Sequence, residues 1–393
     1  MGVTGKKALV LGAGLQGKAV IHDLERSSVV SEIAAADIDI GGAGEWLARM
    51  GLQKVSLHAL DASDERELKR FIHQNGVNIL ICMLPPSFGY RTARVALKAR
   101  IPFVSCSYTG QIAELDGEAR ASGVTILPEM GMDPGIDLLL GKLAVLELDE
   151  VHGLHSYGTG LPEPCCADNY LKYKITWTFD GVLKAYKRPA RFLRDGTEVS
   201  IPGNRIFRSE NVHLIDVPCL GELEAYPNGD AIRYIDLFGL GKTIKSIARF
   251  GMRYPGHCSF WQSLAELGFL SDDPISIDGA NISPHQFLVH HLTPQLQFGP
   301  HERDVVLVRV HAWGLKNGEE KSVIFDLLDY RDLESGFFAM NRTVGYTSSI
   351  AAQMVLAGTI SRPGVLWPGR DVPAEAVLRE LESRGMRIER SEQ

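Results

Sequence analysis

Residues 7–17, KALVLGAGLQG, constrain the fold of this chain more than any other stretch: a short apolar run rich in β-formers leads directly into glycines at 12, 14 and 17. The spacing is G-x-G-x-x-G, and its place between a predicted strand and a predicted helix gives it meaning. Gly12 permits a tight turn, and Gly14 leaves bare backbone for a pyrophosphate to approach. Gly17 lets the helix from Lys18 to Glu25 lie against its strand, with Leu15 and Gln16 at the end where amide groups point toward phosphate. A second strand, EIAAAD, follows and ends at Asp37, twenty residues past Gly17, where a carboxylate can accept both hydroxyls of an adenosine ribose.

That acid also selects between cofactors. A 2′-phosphate would meet the charge of Asp37, and Ile38, Asp39, Ile40, Gly41 and Gly42 supply no Arg or Lys to neutralise it. NAD is therefore expected over NADP. The alternatives are a purely structural βαβ turn for the glycines and a solvated strand-end residue for Asp37.

A chain of 393 residues suits two domains rather than one core. Its formal charge of −7, without a long basic run, argues against nucleic acid or a membrane surface as partner, and a small polar substrate is expected instead. The six cysteines (Cys82, Cys106, Cys165, Cys166, Cys219, Cys258) form no C-x-x-C pair, and adjacent Cys165 and Cys166 are not expected to chelate one ion together. No metal is expected, and a reducing, cytoplasmic setting is. The opening MGVTGKK lacks the apolar segment of a signal peptide, Lys6 breaks the myristoylation pattern, and no stretch has the ~18 apolar residues of a membrane span.

From residue 7 to about 128 apolar strands alternate with amphipathic helices, which predicts a parallel sheet covered on both faces, with ligand beyond the carboxyl ends of its strands. The exit segments are 61–63, 84–87, 105–109 and 129–135. After about residue 136, stretches such as YKITWTFDGVLKAY, RFLRDGTEVSI and RDVVLVRVHAWGL, with turns at 194–196 and 316–318, read as antiparallel strands. Helices return at Thr347 to Leu356 and Ala374 to Arg384.

With these exit segments in view, the chain resembles the saccharopine dehydrogenase family, in its L-glutamate-forming branch. The resemblance rests on VLGAGLQGKA, VSCSYTGQIAELD from Val104, PEMGMDPGIDLLL from Pro128, YGTGLPEP from Tyr157, YKITWTFDGVL from Tyr173, LEAYPNGDAIRY from Leu223, MRYPGH from Met252, and VGYTSSIAAQMVLAGTISRPGVL near the C-terminus. It implies an α/β fold: a Rossmann-type doubly wound domain (1–132 plus 343–393) with an inserted α+β substrate and dimerisation domain (133–342), and a homodimer. It also implies hydride transfer between nicotinamide and a carbon bound to nitrogen in a lysine-derived amino acid. The imine formed is split by water, as in the conversion of saccharopine to glutamate and aminoadipate semialdehyde. Lysine 6-dehydrogenases are similar, and Asp37 leans toward them, whereas PEMGMDPGID leans back. A non-catalytic NAD(H) sensor would share the glycines.

Matched by position, the family places its cofactor against Cys106, Gly131, Met132 and Trp177, and its substrate against Ser107, Asp133 and Arg253. Arg253 would clamp a carboxylate. Asp133, before Pro134 and Gly135, serves equally as a helix cap, and Trp177, read on a strand, equally as a core aromatic. One departure stands out: where the family's saccharopine-binding members carry an Arg after Ala-Tyr-Pro-Asn, this chain has Gly229, with Arg233 four residues on. No dedicated acid–base residue is evident. Tyr108, His155 and His257 read as structural, as do the histidines at 285, 290, 291 and 301.

Overall fold

The structure is a computed structural model and describes residues 5–392. Residues 1–4, on which part of the leader reading rests, lie outside that range. The chain forms two compact units, Met1–Lys142 with Asn341–Gly385, and Leu143–Met340 with Met386–Gln393. Among the described residues no helix is long and apolar enough to cross a membrane.

In the first unit six strands, β1 (Lys6–Leu11), β2 (Val30–Asp37), β3 (Val55–Ala59), β4 (Ile79–Cys82), β5 (Phe103–Ser105) and β6 (Thr125–Leu127), run parallel in the order 6-5-4-1-2-3. The two-residue strand Gly364–Val365 pairs with β6 as a seventh. Central β4, and β1 from Ala8 onward, are apolar because helices cover both faces, and Leu9, Val10, Leu80 and Ile81 are fully buried. Strand order reverses between β1 and β4, which opens a crevice at their carboxyl ends. The crossover helices start where their sequence signals lie. Asp64, for instance, accepts the amides of Arg66 and Glu67 at 2.9 and 3.0 Å to begin the helix Glu65–Gln74.

The chain returns to this unit through the helix Ala339–Leu356, whose small residues permit close packing. A Cβ on Gly345 would lie 2.6 Å from that of Ala19, so the helix rides directly on the helix Leu15–Glu25. Buried Asp23 fixes the contact by accepting Ser349 Oγ at 2.6 Å and Gln353 Nε2 at 3.1 Å, and Arg384 Nε pairs with it at 2.6 Å. A desolvated carboxylate is tolerated here because charged and neutral donors converge on it.

The second unit is built on a nine-stranded sheet. Its main path runs His213–Val217, Gly221–Pro227, Ser246–Arg253, Glu150–Pro162, Asp304–Lys316, Glu319–Tyr330, Arg387–Glu392, and the hairpin Ala190–Arg194/Thr197–Ile201 hangs on Ser246–Arg253. The expected hairpin turns are present: Asp195 and Gly196 (φ +49° and +75°) and Asn317 and Gly318 (φ +54° and +82°) both adopt the left-handed pair that matches strand twist.

Three expectations require correction. First, the antiparallel reading holds for RFLRDGTEVSI and RDVVLVRVHAWGL but not for the whole sheet: Ser246–Arg253 runs parallel to Glu150–Pro162, because the intervening 83 residues (163–245) make a crossover. Second, the C-terminal boundary moves, since Arg387–Glu392 pairs with Glu319–Tyr330 in the second unit. This edge strand is held by charge, with Glu147 accepting Arg390 at 2.9 and 3.0 Å, so it has no apolar signal to read. Third, YKITWTFDGVLKAY is not a strand. Thr178 Oγ1 accepts the Gly181 amide at 3.3 Å and starts a helix, Phe179–Tyr186, that buries Phe179, Val182, Leu183 and Tyr186 at helical spacing.

Candidate functional site

At the carboxyl end of β1 the three glycines do different jobs. Gly12 sits at φ +93°, and its amide is held by Ala36 O at 2.8 Å. A Cβ on Gly17 would stand 1.8 Å from Gly12 O, so only glycine lets the helix approach this closely, whereas nothing lies within 4 Å of a Cβ on Gly14. The helix Leu15–Glu25 begins at Gly14 with no side-chain cap, leaving its first amides open to an anion; Leu15 is exposed and Gln16 half-buried beside them. Asp37, at the end of β2, accepts the Ala13 amide through Oδ2 at 2.8 Å and the Asp39 amide through Oδ1 at 3.3 Å, which ties the carboxylate to the loop.

A cation that local sequence does not show stands nearby. Lys18 Nζ donates to Gly42 O at 3.3 Å and lies 5.7 Å from the Trp46 ring, so the segment after Asp37 does have a positive neighbour. Burial, and then the Arg49 charge, lower the pKa of this ammonium.

The exits of β5 and β6 are locked together. Met130 N–H donates to Ser105 O at 2.9 Å and Glu129 N–H to Ser107 O at 3.0 Å. Fully buried Glu129, at φ +62°, accepts both Thr109 N–H (2.9 Å) and Thr109 Oγ1 (2.8 Å). Half-buried Cys106 and Ser107 therefore sit on a pinned loop, and Gly131 packs with its Cβ position 3.1 Å from Cys106 Cβ. Gly131 N–H donates to Pro134 O at 3.0 Å and Ile136 N–H to Gly131 O at 3.0 Å, closing the turn that holds Met132 and Asp133, with a cis bond before Pro134. Asp133 is not the cap. The helix starts at Ile136, the Gly135 amide is taken by Asp137 Oδ1 at 2.8 Å, and Asp133 Oδ1 accepts the Tyr108 hydroxyl at 3.4 Å. Burial, reinforced by the Glu129 charge, pushes Asp137 up to about 7. The Cys106 thiol, desolvated, is pushed up to about 12 and stays neutral. Of the expected residues, the structure gathers Gly12 to Gly17, Asp37, Cys106, Ser107 and Gly131 to Asp133 on the strand exits of this one unit.

Arg253 and Trp177 belong to the second unit. Arg253, 8% exposed, ends the strand Ser246–Arg253 and points its guanidinium among the rings of Tyr173, Tyr186 and Tyr226, at 5.3, 5.9 and 6.0 Å. It donates to Tyr186 Oη (3.2 Å), Thr159 Oγ1 (3.2 Å) and Met252 O (2.7 Å). It makes no ion pair with any described residue. Burial raises the pKa of all three tyrosines, so the cage is neutral. A buried cation among neutral partners is costly unless an anion joins it. Trp177 is half-buried in the bend before Phe179–Tyr186, with its ring over Gly181, rather than on a strand.

Of the histidines singled out by sequence, His155 and His257 are held neutral. Burial, then His311 and His213, push His155 down to about 3 within a cluster of rings that includes Phe250 and Trp313. His257 is held neutral by burial and by the Arg253 charge, and accepts or donates to Tyr186 Oη at 2.8 Å. His285, also buried, pairs with Asp180 at 2.8 Å. The tyrosine cage and Glu129 escaped the sequence reading. Tyr173 and Tyr186 close the two ends of one stretch, but Tyr226 lies forty positions on and Arg253 further still, and a single acid between Pro and Met carries no pattern.

A glycine turn closed on an uncapped helix start, a carboxylate ending the second strand, and both set at the reversal point of a parallel sheet define a dinucleotide-binding domain, the kind that pyridine-nucleotide-dependent oxidoreductases carry. Comparison with known proteins takes this further. The saccharopine dehydrogenase C-terminal domain matches residues 131–386 and the saccharopine dehydrogenase NADP binding domain matches residues 8–127. The chain belongs to the saccharopine dehydrogenase family. It is 27% identical to the saccharopine dehydrogenase [NADP(+), L-glutamate-forming] of Saccharomyces cerevisiae, covering 97% of both chains. It is 25% identical to the mitochondrial alpha-aminoadipic semialdehyde synthase of Bos taurus over 98% of this chain, but spans only about half (47%) of that protein. The apo structure of the L-Glu-forming saccharopine dehydrogenase from S. cerevisiae superposes with a TM-score of 0.86 at 24% identity over 99% of this chain and 100% of that one, which shows the shared fold. The names of the matched nucleotide domain and of the yeast relative carry NADP, not the NAD expected from Asp37.

Proposed function

We propose that this protein is a saccharopine dehydrogenase that uses NAD in preference to NADP. In the oxidative direction, hydride leaves the carbon bound to the secondary amine of saccharopine for nicotinamide C4, and the nitrogen gives up its proton. Water then splits the imine into glutamate and aminoadipate semialdehyde. The observation that carries this reading is Arg253, a buried guanidinium with only neutral partners, whose environment calls for a carboxylate from outside the chain. The near-complete overlap with the L-glutamate-forming enzyme from yeast supports the substrate class. NAD preference rests on Asp37, whose charge opposes a 2′-phosphate, while Lys18 tempers it.

A second reading, oxidation of the lysine side-chain amine, is favoured by Gly229. Lysine has one carboxylate where saccharopine has three, and the cation of the saccharopine-binding members is missing at this position. The test is turnover of saccharopine, lysine and related amines with NAD and with NADP, followed by reduced-nicotinamide absorbance. Saccharopine oxidation with NAD at the highest kcat/KM is expected. Lysine as the better substrate would move the assignment to the second reading, and no turnover of any amine would refute both in favour of a sensor.

A further inference from the structure

We propose that Glu163, Cys165 and Cys166 form a binding site for a thiophilic divalent cation of the zinc class. Their ligand atoms all lie within 4.8 Å of one another. The two Sγ atoms are 3.7 Å apart, and two thiolates on a tetrahedral zinc, with bonds of about 2.3 Å, stand about 3.8 Å apart. Adjacent cysteines on an extended strand point to opposite faces, which is why the pair reads in sequence as unable to share an ion. The 3₁₀ turn Pro164–Cys166 removes that obstacle by swinging both thiols to one side.

The turn is held from below. Cys166 N–H donates to Glu163 O at 2.8 Å, Glu163 N–H to Arg303 O at 2.9 Å, and the Tyr254 hydroxyl to Pro162 O at 2.9 Å. Cys165 is exposed, and Glu163 and Cys166 are half-buried, so an ion can enter from solvent. Two thiolates and one carboxylate give a dianionic sulfur site plus an oxygen ligand. This selects zinc-like ions over magnesium or calcium, and the fourth position is left to water. Binding releases one proton from each thiol, with no change in oxidation state.

The experiment uses the full reduced chain. Titration with Cd²⁺ should raise a thiolate-to-metal charge-transfer band that saturates at one ion per chain, and prior loading with excess Zn²⁺ should raise the Cd²⁺ concentration needed to reach it. Cys165→Ser and Cys166→Ser should each abolish the band. Cys219→Ser, which alters a separate exposed cysteine, should leave it. Glu163→Gln should keep the band and weaken affinity on the order of tenfold. No saturable band, or one that survives in both Cys165→Ser and Cys166→Ser, would overturn the proposal.

Discussion

Replacing Arg253 by methionine should separate binding from stability. Removing one partner of a buried ion pair normally destabilises a protein, because the other charge is stranded. Arg253 strands nothing: its cage is neutral and each hydrogen-bond partner keeps another. Tyr186 Oη retains His257 Nε2 at 2.8 Å, and Thr159 Oγ1 donates to Met252 O at 2.7 Å. Methionine fills a similar volume without carrying an unpaired charge into the protein interior, so the melting temperature should hold within roughly 3 °C or rise. Substrate is a different matter. One charge-assisted hydrogen bond to a carboxylate is worth roughly 1.5–3 kcal/mol, so kcat/KM for the amine substrate should fall about ten- to 150-fold, while the nucleotide dissociation constant stays as it was. Arg253→Lys should restore only part of the rate, since a point charge cannot make two parallel bonds. The assays are thermal melts and steady-state kinetics on the same preparations. An Arg253→Met protein that melts several degrees lower and keeps its kcat/KM would refute the reasoning and make Arg253 a structural residue.

Gly17→Ala should weaken nucleotide binding by at least about tenfold, or ~1.4 kcal/mol, because its Cβ would sit 1.8 Å from Gly12 O; unchanged affinity by fluorescence titration would show that the loop yields. Asp37→Ala should shrink the preference for NAD in kcat/KM and Lys18→Ala should widen it, and a wild-type protein that uses NADP as well as NAD removes the basis of both. Glu147 is held down to about 2 by hydrogen bonds from Arg390 and Lys321, against an ordinary 4.5. A depressed folded-state pKa contributes stability that is present above 4.5 and lost as pH falls toward 2. Between pH 6 and pH 3 the wild type should therefore lose roughly 1–2 kcal/mol more than Glu147→Gln in denaturant melts, and equal losses would discount the pair.

The parallel sheet was legible because its centre reads as apolar runs, residues 8–11 and Ile79–Cys82, a pattern that central strands covered on both faces produce and few other elements share. YKITWTFDGVLKAY misled because its alternation up to Trp177 overlaps a helical spacing that starts at Phe179, and the cap at Thr178 decides between them. Arg387–Glu392 carried no strand signal because its order comes from ion pairs at a sheet edge. The nucleotide loop was legible for a similar reason to the sheet: its chemistry lies within thirty-odd consecutive residues. Lys18 and Gly42 are 24 positions apart, and the rings around Arg253 come from 173, 186 and 226, so no local pattern could have joined them.

Gly229 shows how a missing charge can have a backbone cause. It stands at φ +73°, its carbonyl accepts the Arg191 amide at 3.0 Å, and Asn228 N–H donates to Arg249 O at 2.8 Å, so the chain turns here and is held on both sides. Nothing lies within 4 Å of a Cβ built at this position, so the obstacle to a side chain is conformation and not space. A non-glycine residue in the left-handed region costs roughly 1–2 kcal/mol, and an arginine that reached a second carboxylate would return roughly 1.5–3 kcal/mol in binding. The cost falls on the folded protein and the gain only on the complex. Gly229→Arg should therefore melt lower by the equivalent of about 1–2 kcal/mol, improve kcat/KM for saccharopine by about tenfold or more, and leave lysine turnover unchanged. Gly229→Ala should reproduce the loss of stability without the gain. If Gly229→Arg melts like the wild type, the turn does not need glycine; if saccharopine efficiency does not rise, the family's second cation is not what this chain lacks.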